Sequence, residues 1–202
     1  TKTSDPTALK TFEFGITPLH IAAAIGSGEV LTAIGKQSPP MVNQTDESGR
    51  TPLHYASNVE AVKALVALKA EINRPDNRGA SPLLEAAFRG RASCVSALLD
   101  SGANPRLADK EGSSALHQAT RSADVDTIRL LSDKCPHDEP DGTGVTPLEI
   151  ACSLDRVDAA MLLLEGIDID RSFVLHHAAE AGNARLVIML IEKGAAISEP
   201  DK

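Results

Sequence analysis

The sequence predicts an all-α solenoid of about six helix–turn–helix units joined by β-hairpin-like loops, and three observations carry this prediction. A six-residue signature recurs as TPLHIA from Thr17, TPLHYA from Thr51, SPLLEA from Ser81, SALHQA from Ser114, TPLEIA from Thr146 and, in degraded form, FVLHHA from Phe173. Its leucine falls at 19, 53, 83, 116, 148 and 175, so the intervals are 34, 30, 33, 32 and 27 residues. A D-x-x-G-x-[ST] segment precedes the signature in repeats two to five. A fixed period in this range is typical of repeat proteins.

The D-x-x-G segments are predicted to form tight turns. They begin at Asp46, Asp76, Asp109 and Asp141, and each places a glycine three residues later. Aspartate readily bonds the backbone of its own turn, and glycine adopts a positive φ without steric cost. We therefore expect a hairpin-like finger before each of these four copies of the signature.

Each unit is predicted to contain two helices. Thr or Ser at the first signature position is a favoured N-cap, and Pro at the second suits the first helical residue. A short Ala-rich helix such as PLHIAAAIG is followed by a longer helix with leucines at i, i+3 and i+4, such as SCVSALLDSG. The 30-residue second unit is expected to lack the small loop between its helices, around Ser57 to Val59. The 27-residue interval predicts a blunt or missing finger near residues 168–172.

The signature and its spacing resemble those of the ankyrin repeat, which has a period of about 33 residues and a T-P-L-H-x-A motif. The resemblance covers residues 11–202. It implies a single ankyrin-repeat domain over residues 1–202, with units at approximately 11–45, 46–75, 76–108, 109–140, 141–170 and 171–202. It also implies a structural role for His20, His54, His117 and His176, which would tie each first helix to the neighbouring finger by hydrogen bonds.

Composition excludes several partner classes. The chain has 202 residues, a net charge of -8, 2% aromatic residues and no Trp, which is unfavourable for binding phosphates or stacking bases. Its apolar runs, such as AAMLLL at 159–164, are too short to cross a membrane. Three scattered cysteines without a CxxC motif favour a reducing compartment. We expect no nucleic-acid partner, no membrane insertion, and an intracellular location in the cytoplasm, the nucleus or both.

No residue pattern indicates catalysis. One structural role explains the four signature histidines together, whereas a catalytic histidine would be a single special copy. Cys135, His137 and Asp138 resemble a fragment of a metal site, but no second segment supplies the remaining ligands that zinc needs. Cys94 and Cys152 fall on predicted core positions, and Cys135, which replaces a helix-ending glycine, is expected to be the most reactive thiol. We expect no catalytic residue, no metal and no cofactor.

A partner-binding surface is predicted on the concave side, where the fingers and first helices lie. The residue after the fourth signature position is expected to face outward, in a row formed by Ile21, Tyr55, Glu85, Gln118, Ile150 and His177. A second row, three and four places further along, contains Ala24, Ile25, Phe88, Arg89, Arg121, Ser122, Ser153, Leu154, Glu180 and Ala181. Arginine and aromatic side chains are frequent binding hot spots. The predicted site, which would take an acidic or mixed-charge segment of a partner protein, is Arg50, Tyr55, Arg78, Glu85, Phe88, Arg89, Gln118 and Arg121. Alternatively, these arginines are solvated or pair with nearby Asp and Glu.

The family resemblance implies a non-catalytic protein-interaction module or scaffold, a monomeric array that binds another protein. The chain does not begin with Met, so an alternative is a regulatory or targeting ankyrin domain of a larger enzyme or channel. The stretches TPLEIACSLDRVDAAMLLLEG, PLHIAA and TPLHYAS are also similar to gankyrin, so a gankyrin-like proteasome-assembly chaperone is another alternative. A further alternative is that the array is a substrate, because Asn43 and Asn73 occupy positions that an asparaginyl hydroxylase can modify in this family.

Overall fold

Short paired helices make up the structure. The computed structural model describes residues 13–137, 139–165, 171–180 and 182–192. Within these ranges the α-helices are α1 (Pro18–Ile25), α2 (Gly28–Gln37), α3 (Val59–Ala67), α4 (Pro82–Phe88), α5 (Ala92–Asp100), α6 (Ala115–Ser122), α7 (Val125–Ser132), α8 (Pro147–Ser153), α9 (Val157–Leu164), α10 (Arg171–Glu180) and α11 (Ala184–Glu192). Three 3-10 segments cover Glu13–Gly15, Pro39–Asn43 and Pro52–Tyr55.

The helices follow the predicted order of a short first helix, a turn and a second helix. The pairs are α1 with α2, the Pro52–Tyr55 segment with α3, α4 with α5, α6 with α7, α8 with α9, and α10 with α11. Among the described residues the β-structure is limited to one isolated bridge between Ala108 and Ser114, at the base of a finger. The predicted fold class, an all-α solenoid of helix–turn–helix repeats, is confirmed.

The chain forms two compact units, each with its own leucine-rich core. The first contains the described residues up to 86 together with 93–104, and the second contains 87–92 together with the described residues from 105 onward. Fully buried side chains of the first unit are Leu19, Leu31, Leu53, Leu65, Leu83, Leu84 and Leu98, and those of the second are Leu116, Ile128, Leu131, Leu163 and Leu186. The signature leucine is therefore a core residue, as its recurrence predicted.

The signature caps its own helix and ties it to the next finger. In the second repeat, Thr51 N donates to His54 Nδ1 at 3.0 Å, so the proton of the neutral ring lies on Nε2. That Nε2–H donates to the carbonyl of Ala80, the residue before the next signature, at 3.0 Å. His20 bonds the Arg50 carbonyl at 2.9 Å and His117 the Val145 carbonyl at 3.1 Å in the same way. The predicted structural role of these histidines is confirmed.

Neighbouring fingers are joined at their tips by single backbone hydrogen bonds. Glu47 N donates to the Phe14 carbonyl at 3.1 Å, Asn77 N to Ser48 at 2.9 Å and Gly142 N to Glu111 at 2.7 Å. The fingers approach so closely that a Cβ on Gly49 would lie 2.4 Å from Asn77 Oδ1, and φ at Gly49 is 78°. The predicted turn glycine therefore serves both the turn and the close approach.

The second repeat is shortened in its first helix, so the prediction of a missing loop around Ser57 to Val59 is wrong. Only the single 3-10 turn Pro52–Tyr55 remains, and residues 56–58 still connect it to α3. Asn58 Oδ1 accepts from Ala61 N at 2.9 Å and caps α3, while Asn58 Nδ2 donates to the Gly26 carbonyl at 3.0 Å. The loop is therefore present, and the shortened element of this repeat is its first helix. The predicted blunt finger lies mostly outside the described residues, since 166–170 are not among them.

Candidate partner-binding surface

Each finger is organised around an aspartate that the finger's own backbone binds. Asp141 Oδ1 accepts from Thr143 N at 2.9 Å and from Val145 N at 3.2 Å. Burial opposes its ionisation, but the bonds from Thr143, Val145 and Arg121 outweigh burial and lower the pKa of Asp141 to about 2. Corresponding bonds to the finger backbone form at Asp46, Asp76 and Asp109. The turns therefore hold a row of carboxylates in fixed positions.

At Asp46 and Asp109 the second carboxylate oxygen is bound by a side chain from the first helical segment of the repeat. Tyr55, nine residues after Asp46, donates its hydroxyl to Asp46 Oδ2 at 2.6 Å, and Gln118 donates to Asp109 Oδ2 over the same separation at 3.3 Å. The Tyr55 ring also meets the His20 ring edge-on at 5.3 Å between centroids and lies 5.4 Å from the Arg50 guanidinium carbon. Tyr55 and Gln118 are thus half-buried and held in place by the fingers.

In the third repeat the equivalent position is Glu85, which cannot donate to a carboxylate when ionised. Arg78 bridges the two acids, with its Nε 3.3 Å from Asp76 Oδ2 and its Nη2 3.2 Å from Glu85 Oε2. The outward orientation predicted for Glu85 is wrong, because the residue is only 4% exposed. Its position lies beneath the finger, as the Tyr55 and Gln118 contacts indicate, and the cost of burying its charge is offset by Arg78.

In the fifth repeat the equivalent position is Ile150, which is also buried rather than outward-facing as predicted. Its apolar side chain offers no donor to Asp141. Arg121, from α6 of the preceding repeat, supplies one, with its Nη2 3.1 Å from Asp141 Oδ2 and its Nη1 2.6 Å from Ser113 Oγ. Arg121 is therefore half-buried and linked to two successive fingers.

Local pairing accounts for three of the arginines in the predicted site. Arg78 and Arg121 contact hairpin aspartates directly, and Arg50 Nε lies 3.6 Å from Asp46 Oδ2. The alternative left open by the sequence, pairing with nearby Asp and Glu, therefore holds for these three side chains. Arg89 is exposed.

Exposed apolar side chains lie on the second predicted row. Ile25 is 72% exposed, Phe88 52% and Leu154 46%, whereas Arg121 of the same row is half-buried. Sequence reasoning missed Phe14, which is 68% exposed. The signal that could have found it is its position three residues before the first signature, which corresponds to Ser48 at the tip of the next finger.

The described signature histidines His20, His54 and His117 are buried and bound to backbone groups. Burial is the main cause that lowers the pKa of His20, His54 and His117, and their backbone bonds only partly offset it. The prediction that Cys135 is a reactive thiol is wrong. Its sulfur lies 3.3 Å from the Pro105 carbonyl, and burial raises the pKa of Cys135 to about 11. Cys94 and Cys152 are buried, as predicted.

His137, the other described member of the suspected metal fragment, bonds the carbonyls of Ser132 and Leu163, and Asp138 lies outside the described residues. In the part of the chain that the structure describes, no group of three or more His, Cys, Asp or Glu side chains converges on a metal position. Nor does any helix of that part have the length and apolar character needed to span a bilayer.

Comparison with known sequences finds ankyrin-repeat profiles that together match residues 2–202. Profiles described as ankyrin repeats match residues 2–76, 57–141 and 83–173, and a single ankyrin-repeat profile matches residues 173–202. Protein lin-12 of Caenorhabditis elegans is 32% identical over 155 residues, which cover 66% of this chain and 11% of that protein. Potassium channel AKT2/3 of Arabidopsis thaliana is 32% identical over 116 residues, which cover 56% of this chain and 14% of the channel. The chain thus spans a minor part of these relatives.

A solved structure has the same fold. The human ASB11 ankyrin repeat domain superposes with a TM-score of 0.79 at 30% sequence identity, and the match covers 92% of this chain and 87% of that domain.

Proposed function

Because this chain belongs to the ankyrin-repeat family, whose fold is typically a non-catalytic protein–protein interaction module, we propose that it binds a partner protein through its fingers and first helices. The residues proposed for this role in the first compact unit are Arg50, Tyr55, Arg78 and Glu85. In the second unit they are Phe88, Arg89, Gln118 and Arg121.

The observation that carries the proposal is the fixation of these side chains by the hairpin aspartates. Tyr55, Arg78, Gln118 and Arg121 each donate to an aspartate that the finger backbone already binds. Side chains that are held before binding lose less conformational entropy when a partner arrives. Phe88, with half of its surface exposed, offers apolar area of the kind that anchors interfaces.

The charge arrangement supports a mixed-charge segment better than a uniformly acidic one. Arg78 is 66% exposed in its side chain, but two of its nitrogens already contact Asp76 and Glu85. Arg121 and Arg50 are likewise engaged with Asp141 and Asp46. An acidic segment would therefore meet guanidinium groups whose charge nearby carboxylates already offset, whereas a mixed-charge segment could contact both members of these ion pairs.

Affinity capture of partners from cells, followed by binding measurements on two variants, tests the proposal. Phe88→Asp and Arg89→Glu change exposed side chains at the end of α4 and should weaken the captured partner about tenfold or more. Arg129→Glu makes the same charge change on an exposed residue of α7, on a second helix, and should leave affinity unaltered. Equal affinities for all three variants, each folded by circular dichroism, would contradict the proposed surface.

A second candidate is a regulatory or targeting domain of a larger protein. One relative is named as a potassium channel, and its match to this chain covers 14% of its length. Immunoblotting of the native product would decide, because a band near 21 kDa would contradict this candidate. We also propose that the array is monomeric and lies in the cytoplasm or nucleus, and the three free thiols support this location. We propose no nucleic-acid partner, which the net charge of -8 supports. The gankyrin-like and hydroxylase-substrate alternatives stay predictions.

A further inference from the structure

The first compact unit exposes apolar side chains beside its first finger. Ile21 and Ile25 lie one turn apart on the same face of α1 and are 38% and 72% exposed. Phe14 is 68% exposed, and its carbonyl accepts the hydrogen bond from Glu47 N at 3.1 Å. We call these three side chains, with Glu47 and Tyr55, the N-terminal face.

Carboxylates outnumber guanidinium groups on the fingers and first helices of this unit. On the second and third fingers and the first helices that follow them, the acidic residues are Asp46, Glu47, Asp76 and Glu85, and the arginines are Arg50 and Arg78. Burial lowers the pKa of His20 and His54, so these histidines add no compensating charge at neutral pH. Three of the four acids are buried beneath the fingers, whereas Glu47 is exposed at a tip.

The side chain of Glu47 is exposed and accessible to a partner. Its hydrogen bonds in the structure are made by its backbone, from N to the Phe14 carbonyl and from its carbonyl to Asn77 Nδ2 at 2.9 Å. The two arginines on the fingers of this unit, Arg50 and Arg78, contact buried acids at 3.2–3.6 Å. The exposed charged group of the second finger at this face is therefore the Glu47 carboxylate, which attracts an approaching cation.

We infer that the N-terminal face binds a linear partner segment that carries aliphatic or aromatic side chains next to Lys or Arg. The apolar side chains would cover Phe14, Ile21 and Ile25, and the cation would approach Glu47. Burial of the apolar side chains supplies the affinity, and the excess of carboxylates selects the sign of the flanking charge. This inference rests on the proposed function and specifies the partner chemistry for the first unit.

Selection from a random linear peptide library displayed on phage, against the immobilised full chain, tests this inference. Enriched peptides are synthesised and their dissociation constants measured by fluorescence anisotropy against the unaltered chain, Glu47→Lys and Ile25→Asp. The matched control is Glu111→Lys, since Glu111 is an exposed acid at a finger tip of the second unit. We expect enriched sequences with more Lys and Arg than Asp and Glu. Each of the two N-terminal variants should weaken binding about tenfold, and the control should change it by less than about twofold.

Three outcomes would overturn the inference. The first is enrichment of peptides with excess acid, and the second is enrichment of basic peptides whose binding neither Glu47→Lys nor Ile25→Asp weakens. In both cases the proposed function stays intact if Phe88→Asp or Arg89→Glu weakens the binding of these peptides. Recovery of no binding peptide would also overturn it, because it requires a linear segment. The proposed function itself fails only if the captured protein partner is insensitive to Phe88→Asp and Arg89→Glu. The two failures are therefore distinguishable.

Discussion

Replacing His54 by leucine removes the link between the second repeat and the third finger without altering the packing volume greatly. Leu84 already occupies the equivalent signature position of the third repeat and is 1% exposed, so leucine suits this position sterically. The substitution deletes the acceptor for Thr51 N and the donor to the Ala80 carbonyl. Thr51 itself is 1% exposed, which prevents water from replacing the lost acceptor.

The expected loss of stability follows from these two bonds. The buried Thr51 N–H left without a partner should cost about 1–3 kcal/mol. The Ala80 carbonyl still accepts from Asp76 N at 2.9 Å, so its lost bond should cost only about 0.5–1.5 kcal/mol. Greater apolar burial by leucine returns about 1 kcal/mol. We expect His54→Leu to lower the free energy of unfolding by about 0.5–3.5 kcal/mol, the sum of these contributions.

Urea denaturation and residue-resolved hydrogen exchange measure this effect. The Thr51 amide should lose protection in His54→Leu, because its acceptor is gone. Lys63→Leu introduces the same residue at an exposed site of α3 in the same repeat and should change stability by less than about 0.5 kcal/mol. An unchanged urea midpoint together with an unchanged Thr51 exchange rate would show that the histidine link contributes nothing, and the reasoning would be refuted.

Three further predictions concern pH, a finger carboxylate and the thiols. Burial lowers the pKa of His20, His54 and His117 below 6.5, so at these histidines the unfolded chain binds more protons than the folded chain. Urea midpoints should therefore fall as the pH falls below 6.5, and a rise would contradict this. Arg121→Met should raise the pKa of Asp141 from about 2, as measured by carboxyl NMR titration, while Arg129→Met should not. Burial raises the pKa of Cys135 and of Cys152 to about 11, so both thiols should resist iodoacetamide until urea unfolds the chain; rapid native labelling would contradict their burial.

The fold could be predicted because the same sequence motif recurs in successive repeats. A threonine–proline pair, a core leucine and a finger aspartate recur at near-constant spacing, so each copy corroborates the others. That equivalence favoured a structural over a catalytic role for His20, His54 and His117, and the family resemblance implied their hydrogen bonds to the fingers. The shortened first helix at Pro52–Tyr55 did not, since an interval of 30 residues does not tell which element lost the residues.

The candidate site was less predictable because its side chains are placed by contacts between elements. Helical periodicity places Glu85 and Ile150 outward, but the finger folds over that position and buries both. A common spacing of nine residues, from Asp46 to Tyr55 and from Asp109 to Gln118, was the available signal. It relates a turn to a helix, which hydrophobic periodicity within one helix cannot detect. The partner-binding roles remain predictions.

The single 3-10 turn of the second repeat shows how this architecture tolerates changes of length. The segment Pro52–Tyr55 is shorter than the first helices of the other repeats. His54 nevertheless bonds Ala80 and Asn58 caps α3, so the contacts with the flanking elements are kept. A change of length in the first helix can therefore be confined to one repeat. Inserting a full helical turn after Tyr55 should consequently be tolerated. It would change the surface next to α1 and leave the other repeats unaltered.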